Sequence, residues 1–268
     1  MKYGFIGTGC MGGALATACA KAIGPEDILL SNRSPEKAQA LAEKLGAIPA
    51  DNETITRDCD VIFLGVKPQT MAQMLLPLQP ILAGRRTPFV LVSMAAGVTI
   101  EALQDMAGGR YPVVRIMPNT ACAVGAGMTT YTCSAEVTDR QRQTVLDALA
   151  ASGLLEEIEE GLMGAASAVA GCGGAYACLF LEGLADGGVL CGLPRKKAQR
   201  MAAQMLLGMA TQALESGEHT GALKDAVCSP AGSTIAGIRK LESMSFRSAA
   251  MEAVIAAWER EREMQQQK

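Results

Sequence analysis

The chain opens with a short β-rich run, Tyr3-Gly4-Phe5-Ile6, that leads straight into Gly7-Thr8-Gly9-Cys10-Met11-Gly12, a GxGxxG pattern at the start of an apolar helical stretch. Few features restrict a fold as far. Behind a strand and ahead of a helix, the first glycine permits the tight turn and the second lets backbone approach a pyrophosphate. The third lets helix and strand pack closely, with the anion at the helix N-terminus. The residues Gly7, Thr8, Gly9, Cys10, Met11 and Gly12 are therefore expected to hold a dinucleotide. The alternative for the pattern by itself is an ordinary glycine turn.

The rest of the first half supplies the context that a bare pattern lacks. Up to about residue 160, β-rich runs at 3–7, 27–31, 60–66, 89–93 and 113–117 alternate with helical stretches at 11–22, 35–45, 69–76 and 99–107. Ser34 is placed to cap the second helix and Pro35 to occupy its first position. Runs at 128–132 and 154–159 extend the sheet, with a helix at 139–151 between them. This alternation predicts a parallel sheet with crossover helices. Beyond 160 the β-branched runs stop, and helices are expected at 163–192, 195–215, 220–227, 231–241 and 246–265. The fold class is thus an α/β doubly wound Rossmann-type domain, residues 1–160, followed by an all-α helical domain, residues 161–268. The final EREREMQQQK, 259–268, reads as a solvated end.

The second half is rich in Ala, Gly, Met and Leu on more than one helix face, more apolar than a lone helical domain hides, so self-association through it is expected. The run GLMGAASAVAGCGGAYACLFL at 161–181 carries no charge and is long enough to span a bilayer. Its flanks, Glu159, Glu160, Glu182 and Asp186, and its glycines predict instead a helix buried on nearly every side at a subunit interface. Nine cysteines without a CxxC pair fit neither a disulfide framework nor a zinc site, so no metal is expected. They read as reduced thiols in a cytoplasmic protein, and no apolar leader precedes the first strand. A net charge of −3 and no basic run exclude a nucleic-acid surface.

The second strand bears on cofactor choice. NAD enzymes carry an acid there, ~20 residues past the glycines, on the ribose 2′-OH. Here the strand ends Leu30-Ser31-Asn32-Arg33-Ser34, where Arg33 and its small polar neighbours suit a 2′-phosphate. NADPH is the expected cofactor, with NADH use left open; Arg33 also reads as a solvated residue at a helix start. Val66-Lys67-Pro68 and Ser93-Met94-Ala95-Ala96-Gly97 follow strands at the end where open α/β sheets bind ligands, although both also fit routine turns.

The remaining segment of interest is VCSPAGSTIAG, 227–237. Reducing a carbonyl by hydride creates an alkoxide that needs a proton donor. A protonated imine gives a neutral amine directly, so holding the substrate suffices. Amides at Gly232 and the following helix start suit a carboxylate, and Thr234 suits a nitrogen. On the residues alone, an interhelical turn capped by Ser and Thr fits equally well.

Over nearly its whole length the chain resembles the pyrroline-5-carboxylate reductases. The resemblance rests on LKDAVCSPAGSTIAGIRKLE at 223–242 with Phe246-Arg247-Ser248, and on GFIGTGCMG, DVIFLGVKPQ, SMAAGVTIEAL, RIMPNT and LADGGVLCGLPR. It implies NAD(P)H-dependent reduction of L-1-pyrroline-5-carboxylate to L-proline, the last step of proline biosynthesis. It also implies a homodimer interlocked through the helical half, often assembled further, as in a pentamer of dimers. Carried over, Gly7 to Gly12 hold the pyrophosphate, Asn32, Arg33 and Ser34 the adenosine ribose, and Asn52, Val66, Lys67 and Ala95 further parts of the cofactor. Ser229, Gly232, Ser233 and Thr234 bind substrate, with Thr234 on the ring nitrogen as the catalytic contact.

Two places depart from the family pattern. Its SGSGPAY stands here as Ala170-Gly171-Cys172-Gly173-Gly174-Ala175-Tyr176, and its SPGG as Ser229-Pro230-Ala231-Gly232. These changes keep open a paralogue reducing a related imine such as a piperideine carboxylate. A β-hydroxyacid dehydrogenase would need a Lys in the first long helix of the second half, where this chain has neither Lys nor His; Tyr176 is the one candidate acid left there. A catalytically silent NADPH-binding regulator would not need the 229–234 loop. The single histidine, His219, sits in a polar turn and reads as a surface residue.

Overall fold

The computed structural model describes residues 1–266, with side chains through Glu263. The last two residues of the expected solvated end, 267–268, lie outside the described residues. The chain divides into two compact units, one of Met1–Gly171 joined by the stretch from Trp258 onward, the other Cys172–Ala257.

The first unit is built on one eight-stranded sheet: β1 (Tyr3–Ile6), β2 (Ile28–Ser31), β3 (Ile48–Pro49), β4 (Val61–Leu64), β5 (Val90–Ser93), β6 (Val113–Pro118), β7 (Gly127–Cys133) and β8 (Gly153–Glu157). Their spatial order is 3-2-1-4-5-6-7-8. Its helices are α1 (Cys10–Ile23), α2 (Pro35–Leu45), α3 (Asn52–Asp58), α4 (Pro68–Leu75), α5 (Gln79–Gly84), α6 (Ile100–Ala107), α7 (Asp139–Leu149) and the short α8 (Met163–Ala166). Because successive residues of a strand face opposite sides, each central strand feeds two cores. Tyr3, Phe5, Ile28, Leu30, Val61 and Phe63 pack with α1, α2 and α7 on one face. Ile6, Leu29, Ile62 and Leu64 pack with residues of α3, α4 and α6 on the other. Phe5 and Phe63, in register on β1 and β4, stack at 4.3 Å between ring centroids. Burying each such ring stabilises the fold by about 1.5–3 kcal/mol.

Strand β1 pairs in parallel with both β2 and β4. The chain order reverses there, so the crevice beyond the carboxyl end of β1 is the switch point at which such sheets bind ligands.

The sheet departs from the sequence reading in having the short β3 and in the direction of one strand: β7 runs antiparallel to β6. Only residues 119–126 connect them, and a parallel return needs a crossover of a dozen residues or more. The parallel pairing resumes at β8, after α7 has made such a crossover. The expected cap at α2 is half present. Pro35 takes the first helical position after Ser34, but the Ser34 side chain makes no capping bond. The chain also continues on the first unit past residue 160. Glu160 accepts hydrogen bonds from the Ile100 amide (2.7 Å) and from Arg115 (3.0 Å), and Asn119 Nδ2 donates to the Ala170 carbonyl (3.0 Å). Ser167 donates to Glu261, which ties the returning C-terminal stretch to the same unit.

The helix expected at 163–192 is interrupted. α8 passes into a π-helical turn at Ser167–Gly171, and α9 (Gly173–Leu190) begins after Cys172. The second unit holds α9, α10 (Arg195–Ser216), α11 (Thr220–Ala226), α12 (Ser233–Ser243) and most of α13 (Phe246–Gln266). α12 starts two residues later than the spacing suggested, because Ala231 lies in the left-handed region. α9 packs on α10, yet only Ala185 among its residues is buried within one chain. The expected burial on nearly every side is therefore not supplied by the chain itself. The stretch Glu160–Leu190 is long and apolar enough, by length and composition, to cross a membrane.

Candidate active site

The loop after β1 is shaped by contacts that tolerate no side chain. Gly7 has φ +99°, and its amide donates to the Ser31 carbonyl at 2.9 Å. A Cβ there would lie 2.7 Å from the Gly65 backbone. A Cβ on Gly12 would drive into the Gly7 carbonyl, which fixes how closely α1 approaches the strand end. Gly9 differs: it caps α1, and a Cβ on it would meet nothing within 4 Å. That open side is where a phosphate can reach the backbone of a 14-residue helix whose first turn carries no acid. Thr8 Oγ1 is buried there without a partner among the described residues. The loop thus fits a pyrophosphate on observed shape and on an unsatisfied donor.

A cleft of about 600 Å³ runs from this loop, lined by Gly7, Gly9, Asn32, Arg33, Asn52, Val66 and Lys67. A neighbouring hollow of about 770 Å³ shares Asn32, Arg33 and Asn52. Asn52 is held by Ser31, whose hydroxyl donates to its Oδ1 at 2.5 Å. Arg33 and Lys67 are exposed and make no ion pair among the described residues, so both charges face the cleft region uncompensated. Lys67 is the N-cap residue of α4 and Pro68 its first residue.

Two predicted contacts sit differently. Ser34 lies at the start of α2 and lines neither hollow. Ala95 is buried in the core beneath the sheet edge, with its amide on Ser93 Oγ at 3.3 Å, so the turn offers backbone and Ala96 outward. Cys10 is exposed and Met11 half-buried at the mouth of α1.

Sequence reasoning passed over Gly65, Thr70, Gln73 and Met74, which complete the cleft. Gly65 had a signal, since it ends the strand that faces Gly7; the others are unremarkable helix residues. It also passed over Asp51, an acid lining the neighbouring hollow. Its carboxylate caps α3 by accepting from the Thr54 amide at 2.7 Å, and those bonds from Thr54 hold its pKa below the ordinary carboxylate value.

In the second unit, Ser229-Pro230-Ala231-Gly232 forms a turn closed by the Gly232 amide on the Ser229 carbonyl at 3.0 Å. A Cβ on Gly232 would collide with Ser229 Oγ, so a side chain there would displace the Ser229 hydroxyl. Gly232 is the N-cap of α12, and among the described residues no side chain caps it. The first amides of a helix have no intrahelical acceptor. Those of Ser233, Thr234 and Ile235 are therefore available, and Ser233 and Thr234 are exposed.

Two candidate proton donors of the second unit, Tyr176 and His219, each hydrogen-bond to backbone. Tyr176 donates to the Ala253 carbonyl at 3.0 Å; burial, and then Cys172 beside it, raises its pKa further from neutrality. His219 is exposed and caps α11, its Nδ1 accepting from the Gly221 amide at 3.0 Å.

Comparison with known proteins bears on both units. A family model described as pyrroline-5-carboxylate reductase dimerisation matches residues 160–264, and one described as NADP oxidoreductase coenzyme F420-dependent matches 2–97. The pyrroline-5-carboxylate reductase of Escherichia coli (strain K12) is 38% identical over 97% of this chain and 96% of its own. That of Methanosarcina acetivorans is 39% identical over 98% and 97%. Among solved structures, the Plasmodium falciparum pyrroline carboxylate reductase with NADP bound is similar at 34% identity and a TM-score of 0.87, covering 99% of this chain and 98% of that one. The Coxiella burnetii pyrroline-5-carboxylate reductase is similar at 31% identity and a TM-score of 0.90, covering 98% and 97%. With relatives this similar along its full length, the chain belongs to the pyrroline-5-carboxylate reductase family.

Proposed function

We infer that the chain reduces L-1-pyrroline-5-carboxylate to L-proline with NAD(P)H, closing proline biosynthesis. The observation that carries the reading to the level of residues is the uncapped N-terminus of α12, with Thr234 in its first turn.

A nicotinamide cofactor held at Gly7 to Gly12 would supply a hydride to the imine carbon. The chain's own part begins with the carboxylate of the substrate, which the amides of Ser233, Thr234 and Ile235 and the positive end of α12 hold. Ser229 and Gly232 shape the turn that presents those amides. Thr234 Oγ orients the ring nitrogen, so the C=N⁺ carbon faces one way. The carbon gains hydride, the C=N π pair becomes the lone pair of a neutral amine, and no side chain delivers a proton in that step. This agrees with Tyr176 and His219 both being committed to backbone partners.

On the other unit, Gly7 to Gly12 carry the pyrophosphate on the α1 N-terminus, with Thr8 Oγ1 donating to it. Asn52 and Val66 line the cofactor, with the Ala95 turn, Lys67 and Pro68 at the sheet edge. Asn32, Arg33 and Ser34 take the adenosine ribose, and Arg33 favours NADPH through its 2′-phosphate; Asp51 keeps a route to NADH. Residues 161–268 form the dimerisation and substrate half. Support comes from Leu190, Leu214 and Leu179, which are 89%, 74% and 70% exposed in one chain, too much apolar surface for an unpaired protein. The working unit is a homodimer, built further into rings such as a pentamer of dimers. The nine free thiols suit a cytoplasmic enzyme.

Thr234→Ala tests the core of this reading. Loss of a hydrogen bond to a charged group predicts a fall of about 10- to 100-fold in kcat/KM for the imine, with NADPH affinity unchanged. Weakened NADPH binding with imine turnover intact would contradict the assignment.

A further inference from the structure

Among the described residues only two that are not glycine have positive φ, Ala231 at +58° and Ser245 at +57°. They stand at the two ends of the same helix, α12, the one whose N-terminus presents the substrate amides. Left-handed backbone at a residue with a Cβ is disfavoured by about five- to thirtyfold in equilibrium, and such residues persist only where the surroundings impose them.

The surroundings that impose them are visible. At the first end, Pro230 and Ala231 are the central residues of the turn closed by Gly232 on Ser229, and a proline followed by positive φ is a type II arrangement that calls for glycine or asparagine at the second position. The strain cannot pass to Gly232, whose φ is −75° and whose Cβ position Ser229 Oγ occupies. At the other end, the Ser245 amide donates to the Glu242 carbonyl at 3.0 Å, and the Ser245 carbonyl accepts the first bond of α13, from Ala249, at 2.9 Å. Arg247 pairs with Glu242 at 2.7 Å, and Phe246 packs on Phe180 with ring centroids 5.4 Å apart.

We propose that Ala231 and Ser245 are positioning residues that make α12 a poised element, held with both flanking turns in a backbone state their own side chains oppose. This rests on the reading of α12 as the substrate helix. The presenting pose is separated from a relaxed one by a small free energy, so a ligand carboxylate on the free amides tips the balance toward it, and its departure tips it back. The strain weakens affinity for substrate and product alike and thereby favours release of L-proline.

The test is Ala231→Gly, Ser245→Gly and the double variant in the full-length protein. Two quantities are measured: hydrogen–deuterium exchange across 229–243, and kinetic constants for the imine with L-proline as inhibitor. Relief of strain predicts slower exchange, and a severalfold lower KM and lower inhibition constant for L-proline, most in the double variant. Ala231→Asn keeps a side chain but accepts left-handed backbone, and it is expected to shift both quantities in the same direction as glycine. Faster exchange with raised KM would overturn the proposal, as side chains that merely stiffen the turns. Unchanged exchange or unchanged KM, with only a higher melting temperature, would also overturn it. A wild-type protein without imine turnover would sink the functional reading instead, and the exchange comparison, which needs no substrate, would still decide the strain.

Discussion

Arg33 carries the clearest single-residue consequence. It stands exposed at the end of β2, unpaired among the described residues, beside Asn32 on both hollows. Arg33→Ala is expected to weaken NADPH far more than NADH, by about 10-fold or more for a charge-assisted phosphate contact, read as the ratio of the two KM values. Equal losses would show that Arg33 does not meet a 2′-phosphate. Gly12→Ala is the complementary case, because the added Cβ meets backbone and not a flexible side chain. It is expected to abolish NADPH binding and lower the melting temperature, whereas Ala at Gly9, where nothing lies within 4 Å, leaves the melting temperature unchanged and weakens only the cofactor.

Among the elements, β1, α1 and β4 form the floor of the cleft, and two buried thiols, Cys19 on α1 and Cys59 at the end of α3, report on this part of the fold. Burial pushes the pKa of Cys19 and of Cys59 up to about 12 from an ordinary 9.0. The folded state therefore keeps its protons through a window in which the unfolded chain loses them. By linkage, stability is full below about pH 9 and falls as pH rises from there toward 12. Denaturant midpoints measured between pH 7 and 11 are expected to decline above 9, and to decline less in Cys19→Ala. In the native state a thiol reagent is expected to label the exposed Cys10 and to reach Cys19 and Cys59 only on unfolding.

How far such elements can be read in advance depends on how they are stabilised. The strands of the central sheet were legible because β-branched runs bounded by turns have few other outcomes, and the loop from Gly7 to Gly12 because its first and third glycines have steric tasks that no other residue meets. The β3 strand escaped notice: it is two residues long and ends in Pro49, which a strand edge tolerates and pattern reading discounts. The α3 helix, Asn52–Asp58, lacks enough apolar periodicity to announce itself and stands on the Asp51 cap and the burial of Ile55. The direction of β7 turned on connection length alone. In the 229–234 loop the residues alone left an interhelical turn open, and it was the resemblance to the family that proposed a substrate role and singled out Ala231; nothing in the linear pattern marked Ser245, since strain is a property of φ. The cleft residues Thr70, Gln73 and Met74 were likewise invisible, because only the placement of α4 brings them to the cleft.

For the whole molecule the controlling fact is the apolar surface of the helical unit. Leu179, Leu190, Leu207 and Leu214, with Met201, Met205 and Met251, are exposed in one chain, so the protein is expected to sediment at a multiple of its 27.9 kDa. Leu207→Glu is expected to shift that distribution toward the single chain in analytical ultracentrifugation; a wild type already at 27.9 kDa would contradict the dimer. The central claim, however, concerns chemistry: a chain whose first long helix in the helical half holds neither Lys nor His can reduce an imine because an imine needs holding and not protonating. The most direct measurement follows NADPH oxidation by the purified protein with L-1-pyrroline-5-carboxylate, piperideine carboxylates and 2-keto acids in parallel. The expected result is efficient turnover of the five-membered imine, with L-proline as product, weaker turnover of the six-membered rings and none of the keto acids. Reduction of a keto acid without imine activity would contradict the account, and preference for a six-membered ring would reassign its substrate.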